Sequence, residues 1–387
     1  MKVQIVYRNY KPLHDMYASL KILPPPGVSY IYPLPKTNLR KLYPLYLQFG
    51  DNWLFKKIIS QAQKIFFETR DYYDSDVLHY MQMLPKRNPS TPFVIDFEHI
   101  ISLANFVSID QNIKEKITRC LCSSQCRKII PLSFAALKTL QNLMGYKGLF
   151  SEKVEVIYPA LPDYASLFGD HAVKRVSDKL NLLFVGNSPY KKGLHELLAA
   201  FHALEQKFND IYLTVISDAS PDLQKKYDLK QIRFLPPKFS HDEIISQFYL
   251  QSDLFVMPTH DDTFGMAMLY ALACGCPVIT TKQFATPEMI TPGENGYFVT
   301  SQRLHLEEVP FPSRNSTKLF HLYGKEEKII VDDLIDRISF LYQNRDHLKR
   351  LQDNANRNFK PGAKFSIEHR NNNLIQVYNS CTNDALN

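Results

Sequence analysis

The run Gly186-Asn-Ser-Pro-Tyr-Lys-Lys-Gly193 follows a short apolar stretch at 181–185 and precedes a segment whose Leu194, Leu197, Leu198, Phe201 and Leu204 fall on one helical face. A strand end, a glycine-bounded loop and a helix start in that order suit an anion. The backbone can approach closely, the first amides of the helix point outward, and Lys192 adds a cation. Neither the Gly-Lys-Ser/Thr order of a P-loop nor the G-x-G-x-x-G fingerprint of dinucleotide enzymes is present. A second run, Thr259-His-Asp-Asp-Thr-Phe-Gly-Met266, repeats the arrangement, with Asp261 and Asp262 just before Phe264-Gly265, where helix-start amides can hold an anion or a polar ligand. Tyr270 stands eight positions beyond Asp262, a little over two helical turns. A solvated turn, a pair of helix caps and a packed aromatic would use the same residues. In the N-terminal half, Glu98 and His99 close the strand-like segment 91–99 and bring a carboxylate and an imidazole to its end, where a hydrogen-bonded structural pair is equally at home.

Such loops need a framework, and the alternation of strand and helix patterns supplies one. Strands are expected at 2–7, 63–68, 91–99, 119–123, 127–133 and within 152–164, with a Pro-rich link over 23–35 and a helix over 133–144 that takes Ser133 as its N-cap. Further on, 181–185, 211–216, 232–236, 253–258 and 278–281 read as strands. Between them, Ser240 and Glu243 form a capping box opening a helix to Gln251, and a helix over 266–274 ends at Gly275 and Pro277. Residues 331–358 read as one charged amphipathic helix. The pattern predicts an α/β protein of two Rossmann-like domains facing a central cleft: 1–170, 171–360, and a tail over 361–387 that packs back on the first domain.

From Phe184 to Val299 the chain resembles the C-terminal domain of retaining GT-B glycosyltransferases, family 4 (group 1) above all. The matching pieces are FVGNSPYKKG, the helix after it, SDLFVMPTHDDTFGMAMLYALACGCPVITT and ATPEMITPGENGYFV. The N-terminal half is similar to the family's acceptor domain through PFVIDFEH and IIPLSFAALKTL. The resemblance implies a GT-B fold and a hexosyltransferase that moves a sugar from a UDP- or GDP-sugar to a glycan, lipid-linked or small-molecule acceptor, with retention and without a metal or any cofactor besides the donor. It implies that Lys192 binds the donor diphosphate in the loop bounded by Gly186 and Gly193, where Asn187 stands in place of the family's usual arginine. Asp262 and Tyr270 occupy the places of two glutamates, the first contacting the donor sugar and the second the ribose hydroxyls. The backbone of Phe264, Gly265 and Met266 would meet the donor, Glu288 would lie near the nucleotide, and His99, with Glu98 beside it, near the reacting sugar. Asn187 and Tyr270 keep a second reading open, a catalytically degenerate relative that binds nucleotide sugars or scaffolds a partner. An oxidoreductase of two Rossmann-like domains is disfavoured by the missing glycine fingerprint.

Composition bounds these readings. At 387 residues, 45% hydrophobic and 22% charged, the chain has the profile of a folded protein of two or three domains. Residues 1–60 hold nine Lys/Arg against Asp15 and Asp51, a net +7 equal to that of the whole chain. Leucines and aromatics over 39–55 are interleaved with those cations, which suits an anionic membrane surface or substrate, or a solvated edge over a core-facing stripe. No stretch has the ~20 apolar residues of a membrane-spanning helix, and the first residues lack an export-signal pattern. The expectation is a cytoplasmic protein, with contact at the inner face of the membrane and no nucleic-acid partner. Six cysteines are few for this length, and the Cys120, Cys122, Cys126 cluster lacks a second ligand pair with zinc spacing.

Overall fold

The computed structural model describes residues 1–7, 15–32, 74–104, 109–144, 151–168, 179–301 and 327–383. The chain divides into two compact units, Met1–Leu132 with Ala136–Pro159 and Arg370–Asn387, and Ser133–Ala135 with Ala160–His369. The divisions fall at 159/160 and 369/370, whereas the sequence reading put them at 170/171 and 360/361. The reason is local: Leu161 donates its amide to the Phe365 carbonyl (3.2 Å), and the Asp163 carboxylate accepts from Lys360 and Asn356 (both 2.7 Å), so 160–168 is tied into the second unit. Most of the basic face over 1–60 and the strand expected at 63–68 lie outside the described residues.

The first unit is built on β1 (Lys2–Val6), α1 (Ala18–Ile22), β2 (Ser29–Ile31), β3 (Val77–Met81), β4 (Phe93–Phe97), α2 (Gln111–Cys122), β5 (Cys126–Pro131) and, from Ala136 onward, α3 (Phe134–Met144), whose first two residues belong to the second unit. Its strands form a parallel sheet in the order β2-β1-β3-β4-β5. Every residue of β3 and β4 is buried, as in parallel strands covered on both faces. Two of those buried residues, His79 and Asp96, are polar. His79 Nε2 lies 3.1 Å from Asp96 Oδ2 and Nδ1 lies 2.8 Å from the Tyr378 hydroxyl, while Asp96 Oδ1 also accepts from the Tyr17 hydroxyl (2.7 Å) and the Gln82 amide (3.0 Å). Burial, and then the Asp96 charge, push the Tyr17 hydroxyl well above its ordinary range.

Three expectations for this half are corrected. Residues 119–122 are not a strand but the last turn of α2, whose Ile117, Cys120 and Leu121 are buried and whose N-cap, Asp110, accepts from the Ile113 amide (2.8 Å). The central strand β3 was not anticipated at all. The segment 152–164 makes no strand; Val154 forms one isolated bridge with Ile129, and 151–153 is a helical turn.

The second unit runs through α4 (Tyr164–Leu167), β6 (Leu180–Val185), α5 (Leu194–Glu205), β7 (Ile211–Ile216), α6 (Pro221–Lys226), β8 (Ile232–Leu235), α7 (His241–Ile244), β9 (Leu254–Met257), α8 (Met266–Ala273), β10 (Val278–Thr281), β11 (Gly296–Val299), α9 (Lys328–Gln343) and α10 (Arg345–Ala355). All six strands are parallel in the order β11-β10-β9-β6-β7-β8. The capping box of Ser240 and Glu243 is present, and α7 continues as a π turn over Ile245–Tyr249. The single helix expected over 331–358 is instead two, α9 and α10, broken at Asn344. The chain then returns to the first unit through α11 (Ile367–Asn383), whose Tyr378 meets His79.

None of the six cysteines is in a disulfide; five are buried and Cys122 is exposed, and burial pushes the Cys120 thiol up to about 11. Among the described residues no three His, Cys, Asp or Glu side chains are grouped to hold a metal ion, and no helix is long and apolar enough to cross a membrane.

Candidate donor site of the second unit

Strand order locates the site. From β6 the chain moves outward through β7 and β8, then returns to lay β9 on the opposite side of β6 and continues through β10 and β11. The succession therefore reverses between β6 and β9, and in open parallel sheets the crevice outside the carboxyl ends of such a strand pair is where ligands bind. The two loops singled out in the sequence, 186–193 after β6 and 258–265 after β9, are the loops that flank it.

The first loop folds on itself: Lys192 donates its amide to Ser188 (3.1 Å), Gly193 to Tyr190 (3.4 Å) and Leu194 to Pro189 (2.9 Å). Ser188 has φ of 63° and gives its amide to Asp218 Oδ1 (2.8 Å), and Asn187 is exposed. Gly193, at φ of 74°, is the N-cap of α5, and a Cβ there would stand 2.0 Å from the Pro258 carbonyl oxygen. No larger residue fits between the loops. Gly186 differs, because a Cβ on it would meet Lys192 Cγ at an ordinary 3.5 Å. The start of α5 is less open than the sequence implied: the Leu194 amide is used by Pro189, and the carboxylate of Glu196 in the first turn is engaged by His260 and the Glu327 amide.

Lys192 and Asp262 are brought together. The ammonium lies 2.7 Å from Asp262 Oδ2 and donates to the Asp261 carbonyl (3.1 Å), with the two side chains 20% and 15% exposed. Beside them, Lys191 Nζ pairs with Asp261 Oδ2 at 2.5 Å. The crevice thus carries two lysines from one loop against two aspartates from the other. Thr259 and His260 reinforce the contact, the Thr259 hydroxyl (3.3 Å) and the His260 amide (2.9 Å) both donating to the Lys191 carbonyl. Beneath, buried His260 Nε2 lies 2.9 Å from buried Glu196 Oε1. Burial alone would raise the Glu196 carboxyl; its hydrogen bond to His260, the His260 charge and backbone amides outweigh that and hold it below the ordinary carboxylate range.

The other candidates are placed as follows. Asp262 sits in the loop and α8 begins only at Met266, so the eight positions to Tyr270 are not two turns of one helix. Gly265, at φ of 93°, is the N-cap of α8; Phe264 is buried, and Met266 is partly exposed. Tyr270 is 7% exposed, its ring 5.2 Å from His241, 6.2 Å from Tyr249 and 6.3 Å from Tyr164, centroid to centroid. It fills an aromatic cluster with these three side chains. The Glu288 carboxylate accepts from the amides of Phe134 (2.9 Å) and Ala135 (2.8 Å). In the first unit, Glu98 and His99 directly follow β4; His99 is buried, and its Nδ1 accepts from the Ile101 amide (3.2 Å) as cap of a helical turn.

The Lys191–Asp261 pair and the Glu196–His260 pair were not singled out in the sequence. Two lysines and two aspartates in tandem at strand ends carried a signal for the first; for the second, a Glu and a His 64 residues apart carried none.

Residues 170–305 match the family described as glycosyl transferases group 1. A capsular polysaccharide biosynthesis glycosyltransferase of Staphylococcus aureus, CapM, is 30% identical over 131 residues, covering 33% of this chain and 34% of that protein. The matched segments span 43%, 34% and 29% of the first three curated relatives' own lengths. Among solved structures, a glycosyltransferase from Rickettsia africae superimposes with a TM-score of 0.62 at 16% identity, over 99% of this chain and 98% of that one. HepE of Anabaena in complex with UDP gives 0.60 at 16% identity, over 98% and 100%. The chain is thus made of two parallel-sheet Rossmann-like α/β units, its structural neighbours are GT-B glycosyltransferases, and residues 170–305 carry a glycosyl transferases group 1 domain.

Proposed function

We propose that the protein is a nucleotide-sugar-dependent glycosyltransferase that transfers a hexose to a glycan, lipid-linked or small-molecule acceptor. The observation that carries this reading is the Lys192 ammonium at the β6/β9 switch point, held by a partly exposed aspartate that an anion can displace. The UDP complex of the HepE neighbour supports a nucleoside diphosphate as that anion. In the reaction the bond from the anomeric carbon to the β-phosphate oxygen breaks, the acceptor oxygen bonds the anomeric carbon, and the acceptor proton passes to the departing diphosphate on the same face, which retains the configuration. Negative charge grows on the leaving phosphate, where a preorganised ammonium acts most strongly. Lys192 meets that charge without a metal, and Asp262, relieved of Lys192, takes donor hydroxyls. Gly186, Asn187 and Gly193, with the backbone of Phe264, Gly265 and Met266, line the donor path. Glu288 shapes the nucleotide side from its turn, and Glu98 and His99 are the candidate catalytic groups near the reacting sugar. The protein works in the cytoplasm, and the basic residues over 1–60 bring it to the anionic inner face of the membrane, near lipid-linked acceptors.

One observation favours a second reading, a catalytically degenerate protein that binds nucleotide sugars or scaffolds a partner: Tyr270 is packed among Tyr164, His241 and Tyr249 at the place of a ribose-binding carboxylate. Thermal denaturation with UDP, GDP, ADP and their sugar conjugates, on wild type and Lys192→Ala, tests both. A ligand that binds only the folded state raises the midpoint. The transferase reading expects one nucleotide sugar to stabilise wild type, the shift to vanish in the variant, and turnover with that donor to fall about a hundredfold or more. Stabilisation without transfer or hydrolysis would support the second reading, and no shift at millimolar ligand would overturn the donor site.

A further inference from the structure

We propose that Glu196 and His260 are positioning residues for the donor diphosphate, locking the 259–262 loop onto the 191–193 loop and so fixing where the Lys192 ammonium stands. The inference rests on the nucleotide-sugar reading above. The Lys192 ammonium donates to the 259–262 loop, to Asp262 Oδ2 and to the Asp261 carbonyl, so any shift of that loop moves the ammonium. His260 stands between the two loops. Its amide donates to the carbonyl of Lys191, the residue just before Lys192, while its fully buried ring reaches Glu196 in the first turn of α5, whose N-cap Gly193 is the residue just after. The connection closes a ring: 191–193, α5, Glu196, His260 and back to Lys191.

A third element is drawn in. Glu327, which precedes α9, donates its amide to Glu196 Oε1 (3.3 Å), and its own carboxylate stands 3.9 Å from His260 Nδ1 and takes the Ser301 hydroxyl (3.3 Å). Burying a carboxylate and an imidazole together carries a desolvation cost, and well-packed apolar side chains of the same volume hold a core at least as well. What the polar pair adds is direction. A hydrogen bond at 2.9 Å holds the ring in one orientation, and a displacement of about 1 Å at a reacting group lowers rates by roughly a hundredfold.

The test uses the full chain as wild type, His260→Ala, His260→Gln and Glu196→Gln. UDP, GDP and the parent nucleosides are titrated by calorimetry, and amide exchange is followed across 186–193. The expected result is that His260→Ala weakens the nucleoside diphosphate that wild type binds by about tenfold, leaves the nucleoside unchanged and speeds exchange in 186–193. His260→Gln, which returns an N–H donor toward Glu196, recovers most of the loss, and Glu196→Gln, which keeps an acceptor but not the charge, falls between. A purely structural role would weaken nucleoside and diphosphate alike. If His260→Ala fails to fold, the near-isosteric Gln variants decide. Wild-type diphosphate affinity and exchange in His260→Ala, or in both Gln variants, would overturn the inference while leaving the donor site intact. A wild type that binds neither nucleotide would fail the nucleotide-sugar reading and remove this role with it.

Discussion

Each unit brings titratable side chains together on neighbouring strands or the loops that follow them, and the two groups differ in their access to water. In the first unit His79 and Asp96 are each 2% exposed and surrounded by Tyr17, Gln82 and Tyr378, so every polar atom of the pair is engaged inside the fold. In the second, Lys192 and Asp262 are 20% and 15% exposed and Lys191 is 42% exposed. A buried, saturated cluster is costly to break, whereas a pair within reach of solvent can exchange one partner for a ligand anion at modest cost. The contrast separates a cluster that holds strands and α11 in place from one suited to binding.

Breaking the first cluster should give the largest effect on stability. Asp96→Ala leaves His79 and the Tyr17 hydroxyl without their acceptor and should cost about 3–5 kcal/mol in chemical denaturation. A loss below 1 kcal/mol would mean the cluster is not the anchor described. Next comes Gly193→Ala, which sets a Cβ against the Pro258 carbonyl at a positive φ and should cost about 2–3 kcal/mol, with loss of nucleotide binding as the loops part. Asp262→Asn sharpens the contrast from the other side. It should change stability by about 1 kcal/mol, keep UDP or GDP affinity or raise it by freeing Lys192, and weaken the matching nucleotide sugar, as paired titrations would show. Equal changes for nucleotide and nucleotide sugar would remove Asp262 from sugar contact.

The smallest expected effect concerns acid. Burial would raise the Asp163 carboxyl, but Lys360, Ser166 and Asn356 outweigh it and hold the group below its ordinary range. A depressed carboxyl contributes stability at pH above its unfolded value, and that contribution is lost as pH falls through the folded value. Asp163→Asn should therefore lower stability slightly at neutral pH, where the carboxylate and its Lys360 ion pair contribute, leave strongly acid pH, where that contribution is already lost, nearly unchanged, and so flatten the acid limb. An acid limb identical to wild type would show that Asp163 contributes nothing there.

Much of the second unit was legible because its strands are short unbroken apolar runs, such as Leu254–Met257, between helices with a clean apolar face. The first unit hid its central strand because VLHYM over Val77–Met81 carries His79, whose burial depends on Asp96 and Tyr378 far along the chain. The strand expected over 119–123 is instead the end of a helix, and so short a run cannot distinguish a strand from a last helical turn. The longer spacing of Ile117, Cys120 and Leu121 with the Asp110 cap does distinguish them. For the candidate site, the loops that carry Lys192 and Asp262 could be picked out from local pattern, since each lies between a strand and a helix. The packing of Tyr270 and the engagement of Glu288 with backbone amides could not, because those partners come from distant segments.

The strand order also has a consequence for how the site comes into being. Lys192 and Asp262 are 70 residues apart, and the pairing of Leu182 with Leu254 that brings their loops together skips over β7 and β8. Contacts of such sequence separation form late, after the local β6-β7-β8 half has its own hydrogen bonds. During synthesis the lysine loop therefore emerges and folds back on itself through Ser188, Tyr190 and Pro189, with Asp218 beyond β7 as its first carboxylate partner, well before Asp261 and Asp262 are available to it. Arrival of the second strand set completes the crevice, and a chain stopped before β9 would hold the lysine half of the site with nothing facing it.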